Sequence, residues 1–160
     1  SDAEELVKSI TNKSYIVRTS GVFGINGNNF VKIMLNLASS GAKEINVVND
    51  QIMSVTYAKD LAKFLVALIQ GDKYGIYHVT NDGYLSWFDF ANAIFKESNI
   101  KIKVNPISSE AYRKIKPNQA IRPMNSRLCN EALIERGFPL LPSYLDALKR
   151  FLKELKQNEN

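Results

Sequence analysis

The sequence holds a single cysteine and a single histidine. With only Cys129 there is no internal disulfide, and one cysteine plus one histidine cannot assemble a Cys/His metal site of familiar spacing. No metal site is therefore expected, and Cys129 reads as a small buried hydrophobe. No apolar run approaches the roughly 18 to 20 residues of a membrane-spanning helix. Internal repeats and low-complexity linkers are absent. The first residues (Ser1, Asp2, Glu4, Glu5) are polar and acidic, unlike a secretory leader. These features give the expectation of a cytoplasmic protein without a membrane partner. The net charge of +5 is mild enough to serve solubility alone. With no zinc-finger spacing and no RNA-binding aromatic signature, nucleic acid is not an expected partner.

What is present suits one compact soluble domain: 160 residues, 45% hydrophobic and 23% charged. A helix is expected over Ser1 to about Ile10, with Ser1 and Glu4 spaced as a capping box. Tyr15–Thr19 reads as a short strand. The Gly/Asn-rich loop Ser20–Asn28 leads to a helix capped by Asn28 or Asn29, with Phe30, Ile33, Met34 and Leu37 on one face. Glu44–Val48 reads as a strand followed by a polar loop. Ala58–Ile69 reads as a helix burying Leu61, Phe64, Leu65 and Leu68 and stopped by Gly71. Ile76–Val79 is a further strand. Ser86, with Asp89 in box position, caps a helix whose apolar stripe includes Trp87, Phe90, Ile94 and Phe95. Lys103–Ile107 is a strand. Asn130 opens a short helix that Gly137 ends, and Pro142-Ser143 open the last one, with Tyr144, Leu148, Phe151, Leu152 and Leu155 inward. Strands alternating with helices give an α/β class. Ser108–Ser126 shows little periodicity and flags either a functional loop or a surface wrap. From Ala111 to Asn130 the chain carries Arg113, Lys114, Lys116, Arg122 and Arg127 and no acid, an excess suited to an anion.

Gly21, Gly24 and Gly27 form a GxxGxxG between a strand and a helix, with Asp50 roughly twenty residues on, as in a dinucleotide-binding fingerprint. The polar Arg18 and Thr19 on the preceding strand, and the bulky Phe23 and Ile25 inside the loop, favour ordinary turn glycines instead.

Several segments, in order, carry a family pattern. They are Tyr15–Gly24 (YIVRTSGVFG), Gly27–Lys32 (GNNFVK), Val47–Gln51 (VVNDQ) with Thr56 and Asp60-Leu61-Ala62, Gly75–His78, Ser86–Ala91, and Arg122–Leu128 (RPMNSRL). Their order and spacing closely resemble dTDP-4-dehydrorhamnose reductases over nearly the whole chain. The resemblance implies an extended short-chain dehydrogenase of Rossmann type, of which residues 1–160 are the C-terminal, substrate-binding portion with a few late strands of the parallel sheet. The N-terminal dinucleotide-binding portion is expected to be absent from this chain. In the family, NADPH or NADH delivers hydride to the 4-keto group of a dTDP-6-deoxy sugar, which makes a dTDP-sugar the implied substrate.

The family needs a glycine-rich loop, a strand Thr or Ser, and a Tyr-x-x-x-Lys pair in which the tyrosine protonates the developing alkoxide. Tyr15 is followed at the fourth position by Thr19, Tyr57 by Leu61 and Tyr74 by His78. The pair is expected upstream of Ser1, and no catalytic residue is expected here. The resemblance makes Thr19 and Ser20 candidates for cofactor contact. Asn29, Gln51, Thr56 and Arg122 become candidates for the sugar nucleotide, with Arg122 foremost because a guanidinium matches a diphosphate through paired hydrogen bonds. His78 reads as a packed strand-end residue and Trp87 as core.

Three positions depart from the family pattern: Gly21 stands where a tryptophan is usual, Met53 where glycine is usual and Val55 where proline is usual. Met53 is expected to forbid an easy left-handed turn. These departures leave open a reductase of a related sugar nucleotide in surface or spore-coat polysaccharide synthesis. They also leave open a non-catalytic nucleotide-sugar-binding or regulatory module. A strand Tyr15–Thr19 short of neighbours predicts exposed apolar surface and self-association.

Overall fold

The structure, a computed structural model, describes residues 2–118 and 122–158. The proposed cap at Ser1 lies outside them. The helices are α1 (Asp2–Ile10), α2 (Phe30–Ser39), α3 (Ala58–Leu68), α4 (Trp87–Glu97), α5 (Ser109–Ile115), α6 (Glu131–Glu135) and α7 (Tyr144–Asn158). The strands are β1 (Tyr15–Arg18), β2 (Val22–Phe23), β3 (Glu44–Val48), β4 (Ile52–Met53), β5 (Thr56–Tyr57), β6 (Gly75–His78), β7 (Asn81–Asp82), β8 (Leu85–Ser86), β9 (Lys103–Ile107), β10 (Asn125–Ser126) and β11 (Leu141–Ser143).

Two parallel ladders carry the architecture. β1 pairs with β6 from Tyr15↔Gly75 to Arg18↔His78, and β3 pairs with β9 from Glu44↔Lys103 to Val48↔Ile107. Both need the helical crossovers that the α/β pattern supplies. Pro106 lies within β9 opposite Val47; lacking an N–H, it suits a strand paired on one side only. Short ribbons (β2–β5, β4 between β10 and β8, β11–β7) fasten the loops between the ladders.

The larger core gathers α2, α4 and α7 against β3 and β5 around Phe23, Phe90, Ile94, Phe95, Leu148 and Phe151. Each such side chain contributes about 1.5 to 3 kcal/mol on full burial. Local chemistry supports it: Ser86 Oγ accepts from the Asp89 N–H while Asp89 accepts from the Ser86 N–H, the expected capping box. A second core (Phe64, Leu68, Tyr77, Val79, Leu133, Leu141) lies where α3 and α6 meet β6 and β11.

α1 buries no side chain. Its tie to β1 is the pair Arg18–Glu4, at 2.8 Å and 2.5 Å; the Arg18 hydrogen bonds hold the Glu4 carboxyl down at about 2. Leu6, Val7 and Ile10 stay exposed on α1, as expected of a surface beside a strand with one neighbour.

Several expectations are corrected. Ser108–Ser126 is not wholly irregular, because α5 forms at its start. Cys129 is exposed. Trp87 is half-buried and packs against the edge of the larger core. Met53 lies on β4 and is 1% exposed; among the described residues Asn99 is the one non-glycine with positive φ, so position 53 holds a strand and no left-handed turn. Gly21, by contrast, has φ +55°, and a Cβ there would stand 2.7 Å from the Ser54 carbonyl oxygen and 3.0 Å from Val55 Cγ1. Buried Val55 therefore occupies the flank of Gly21, which links two of the three family departures.

Candidate functional site

A cavity of about 600 Å³ opens alongside β3, between α2, α5 and the start of α4. Its apolar walls come from α2 (Phe30, Ile33, Met34, Leu37), β3 (Ile45, Val47, Val48) and Trp87 at the start of α4. Phe30 and Trp87 pack with ring centroids 4.7 Å apart. All four residues of the sequence face Phe30/Ile33/Met34/Leu37 thus line the cavity, with Met34 buried at its base and Ile33 (41%) and Leu37 (39%) more exposed.

The polar side is contributed mainly by the loop after β3 and by α5. Ser108 caps α5, accepting from the Ala111 N–H at 3.1 Å. Asp50 accepts from the Ser109 N–H at 3.0 and 2.9 Å and from Ser109 Oγ at 2.5 Å. Burial alone would raise the Asp50 carboxyl, but the Ser109 hydrogen bonds outweigh it and hold it below its ordinary value. Gln51 Nε2 donates to Ser109 Oγ at 2.9 Å. α5 then presents Tyr112 and Arg113, and the residue that ends it, Lys116, to the cavity. Arg122 closes it from another side, its guanidinium 5.1 Å above the Trp87 ring in cation–π range. Among the described residues, no Asp or Glu lines the cavity. Among the described residues, no carboxylate pairs with Arg113, Lys116 or Arg122. Three cations beside aromatic walls, with no acid, suit an anion attached to a flat apolar group.

The six residues singled out from the sequence fall into three places. Gln51 and Arg122 line the cavity. Thr19, Ser20 and Thr56 meet elsewhere: Thr19 Oγ1 donates to Thr56 Oγ1 at 2.9 Å, and Thr56 Oγ1 donates to the Ser20 carbonyl at 2.9 Å. Thr56 is fully buried and ties β5 to the end of β1. Asn29 caps α2, accepting from the Lys32 N–H at 3.2 Å and donating to the Gly24 carbonyl at 2.9 Å, so backbone occupies both its arms. Around the glycine motif, Lys32 Nζ donates to the carbonyls of Ile25 and Gly27. An ammonium occupies the loop's carbonyls, and Gly21 and Gly27 have positive φ, which is the turn reading.

Sequence reasoning passed over Tyr112 and its pairing with Lys116. They form a Tyr-x-x-x-Lys spacing, which Tyr15, Tyr57 and Tyr74 do not. Both line the cavity, with Lys116 Nζ 6.0 Å from the Tyr112 ring centroid. The lining includes neither Thr19 nor Ser20, so this pair has the reductase spacing without standing at the strand assigned to the cofactor. The acid-free basic run was the available signal for Arg113 and Lys116.

A second polar cluster also went unread. Arg150 donates two 2.7 Å hydrogen bonds to Asp60, and Asn81 Nδ2 donates a third, also 2.7 Å. Burial would raise Asp60, but Arg150 and Asn81 keep its carboxyl below its ordinary value. Asn81 also accepts from the Tyr57 N–H and donates to the Pro142 carbonyl. Tyr57 OH donates to Glu154, which pairs with Lys59 at 2.7 Å. Burial first, then Glu154, push the Tyr57 hydroxyl upward. This cluster joins α3 to α7 and serves the fold.

Comparison with known proteins identifies the lineage. The model of the RmlD substrate binding domain matches residues 1–157. The chain belongs to the RmlD substrate-binding domain family. It is 41% identical over 152 residues to the spore coat polysaccharide biosynthesis protein SpsK of Bacillus subtilis, covering 94% of this chain and 51% of that protein. It is 41% identical over 155 residues to the dTDP-4-dehydrorhamnose reductase of Aggregatibacter actinomycetemcomitans, covering 89% and 50%. The crystal structure of the Bacillus anthracis dTDP-4-dehydrorhamnose reductase in complex with NADP superposes with a TM-score of 0.86 at 44% identity, covering 94% of this chain and 51% of that one. The fold is thus the α/β architecture of these reductases, and the chain spans about half the length of the curated relatives it matches.

Proposed function

We propose that residues 1–160 are the C-terminal, substrate-binding portion of a cytoplasmic NAD(P)H-dependent reductase of a dTDP-4-keto-6-deoxy sugar, acting in the synthesis of dTDP-rhamnose or a related surface or spore-coat polysaccharide precursor. In this reading the dinucleotide-binding portion lies outside these residues. The observation that carries the proposal is the acid-free cavity with Arg113, Lys116 and Arg122 set beside Phe30 and Trp87. The cations neutralise the diphosphate, Arg122 through paired hydrogen bonds. The aromatic walls take the base, and Gln51 supplies a donor and an acceptor at the cavity edge. Nucleic acid and membrane are not proposed partners.

For the cofactor, Thr19 lies just past the carboxyl end of β1 and is exposed. With its proton used on Thr56, Thr19 Oγ1 is left as an acceptor, which fits an amide-bearing ring; Ser20 is its neighbour. NADPH or NADH supplies the hydride when bound. The residues of this chain orient and neutralise the substrate, and the proton donor of the reaction is not among them.

The test uses the chain's single tryptophan. Titration with dTDP should change Trp87 fluorescence saturably, and Arg122→Ala should weaken the response about tenfold or more. A wild-type response absent at millimolar dTDP removes the reading. The second reading, a nucleotide-sugar-binding module without catalysis, is favoured by the Gly21–Val55 packing where the family's tryptophan is usual. It predicts the same dTDP binding, but no NADPH oxidation with any dTDP-4-keto sugar when the chain is joined to its dinucleotide-binding portion.

A further inference from the structure

Resting on the nucleotide reading above, the geometry points to Asp50 as a positioning residue that sets diphosphate affinity through α5 without itself lining the cavity. α5 has seven residues and buries no side chain. A helix this short does not hold itself in water, so its place depends on what fastens it. Much of that fastening falls on Ser109. Its N–H and hydroxyl both donate to Asp50, and its Oγ accepts from Gln51 Nε2.

Asp50 and Gln51 come one residue after β3, whose five-residue ladder with β9 is closed by the intervening Asn49 N–H donating to the Ile107 carbonyl at 3.1 Å. The latch therefore connects a rigid strand end to the first turn of α5, and the Asp50 charge suits that helix end. The next turn carries Tyr112 and Arg113 into the cavity, and the C-cap Lys116 follows them. Without the latch, α5 keeps Ser108 as cap but loses the contact that orients its cations.

The sign of the effect separates positioning from simple electrostatics. Asp50 is an anion near a site for an anion, so deleting its charge alone would tighten diphosphate binding. Loss of positioning weakens it.

The experiment titrates the wild-type chain, Asp50→Ala and Ser109→Ala with dTDP and with thymidine, followed by Trp87 fluorescence. Asp50→Ala should weaken dTDP about tenfold, as expected when charge-assisted hydrogen bonds are lost, and leave thymidine within about twofold. Ser109→Ala, which retains the backbone donor, should weaken dTDP by a smaller factor. An Asp50→Ala chain that binds dTDP as tightly as wild type or more tightly overturns the proposal, as does equal weakening of dTDP and thymidine. If Asp50→Ala does not fold, as judged by circular dichroism, Ser109→Ala decides by the same two criteria. If wild type binds neither ligand, the nucleotide reading fails, and the latch is then read from amide exchange. Asp50→Ala should speed exchange of residues 112–116 about tenfold while α4 is unchanged; unchanged exchange in α5 overturns the latch.

Discussion

Replacing Asp60 with alanine removes the acceptor of three 2.7 Å hydrogen bonds, two from Arg150 and one from Asn81. The Asp60 side chain is 10% exposed and that of Arg150 39%. A fully buried pair broken on one side costs about 3 to 5 kcal/mol. Arg150 is open to water and keeps Asp146 as a partner at 2.8 Å, which lowers the expected cost to about 2 to 3 kcal/mol. For a domain of this size that is a drop in Tm of about 4 to 12 °C.

The cost also depends on pH. The folded carboxyl of Asp60 is held below its ordinary value of 3.8, so its contribution is complete above that value and is lost as pH falls through the folded one. Thermal and urea melts of wild type and Asp60→Ala should differ most at neutral pH and converge below about pH 4. A difference under about 0.5 kcal/mol at pH 7, or one that persists undiminished in acid, would refute the reasoning.

Gly21→Ala should destabilise by about 1 to 3 kcal/mol, because φ is +55° and the added Cβ meets the Ser54 carbonyl at 2.7 Å; a melt matching wild type would show that the backbone relaxes freely. Exposed Cys129 should react fully with a thiol reagent in the native protein, and a thiol unreactive until denaturation would contradict its placement. The apolar side chains Leu6 and Ile10 on α1 should drive concentration-dependent association in sedimentation, which Leu6→Lys with Ile10→Lys abolishes; a wild-type monomer at high concentration would count against it.

What was legible in the sequence was what is local. Ser86 and Asp89 announce α4 because a capping box needs only three residues of spacing. β3 read directly as a β-branched run between turns, and β9 as a short strand before the irregular segment. The two-residue strands β2, β4, β5, β7, β8 and β10 did not, because they have no period and exist through their partners. α5 was hidden by its length and by having no buried stripe. Ile33 and Leu37 have the pattern of core residues, and only the packed structure shows that they face a cavity. The Asp60–Arg150 pair spans 90 positions, a separation that leaves no trace in local pattern. Gln51 and Arg122 could be singled out by resemblance, whereas Arg113 and Lys116 needed the helix that aims them.

The cavity between α2, β3, α4 and α5 is the proposed sugar-nucleotide site. Calorimetric titration of the chain with dTDP, wild type against Arg122→Ala, tests this most directly. Saturable one-to-one binding, weakened about tenfold or more in the variant, is the result predicted. Equal binding by both chains, or none by wild type, would contradict it.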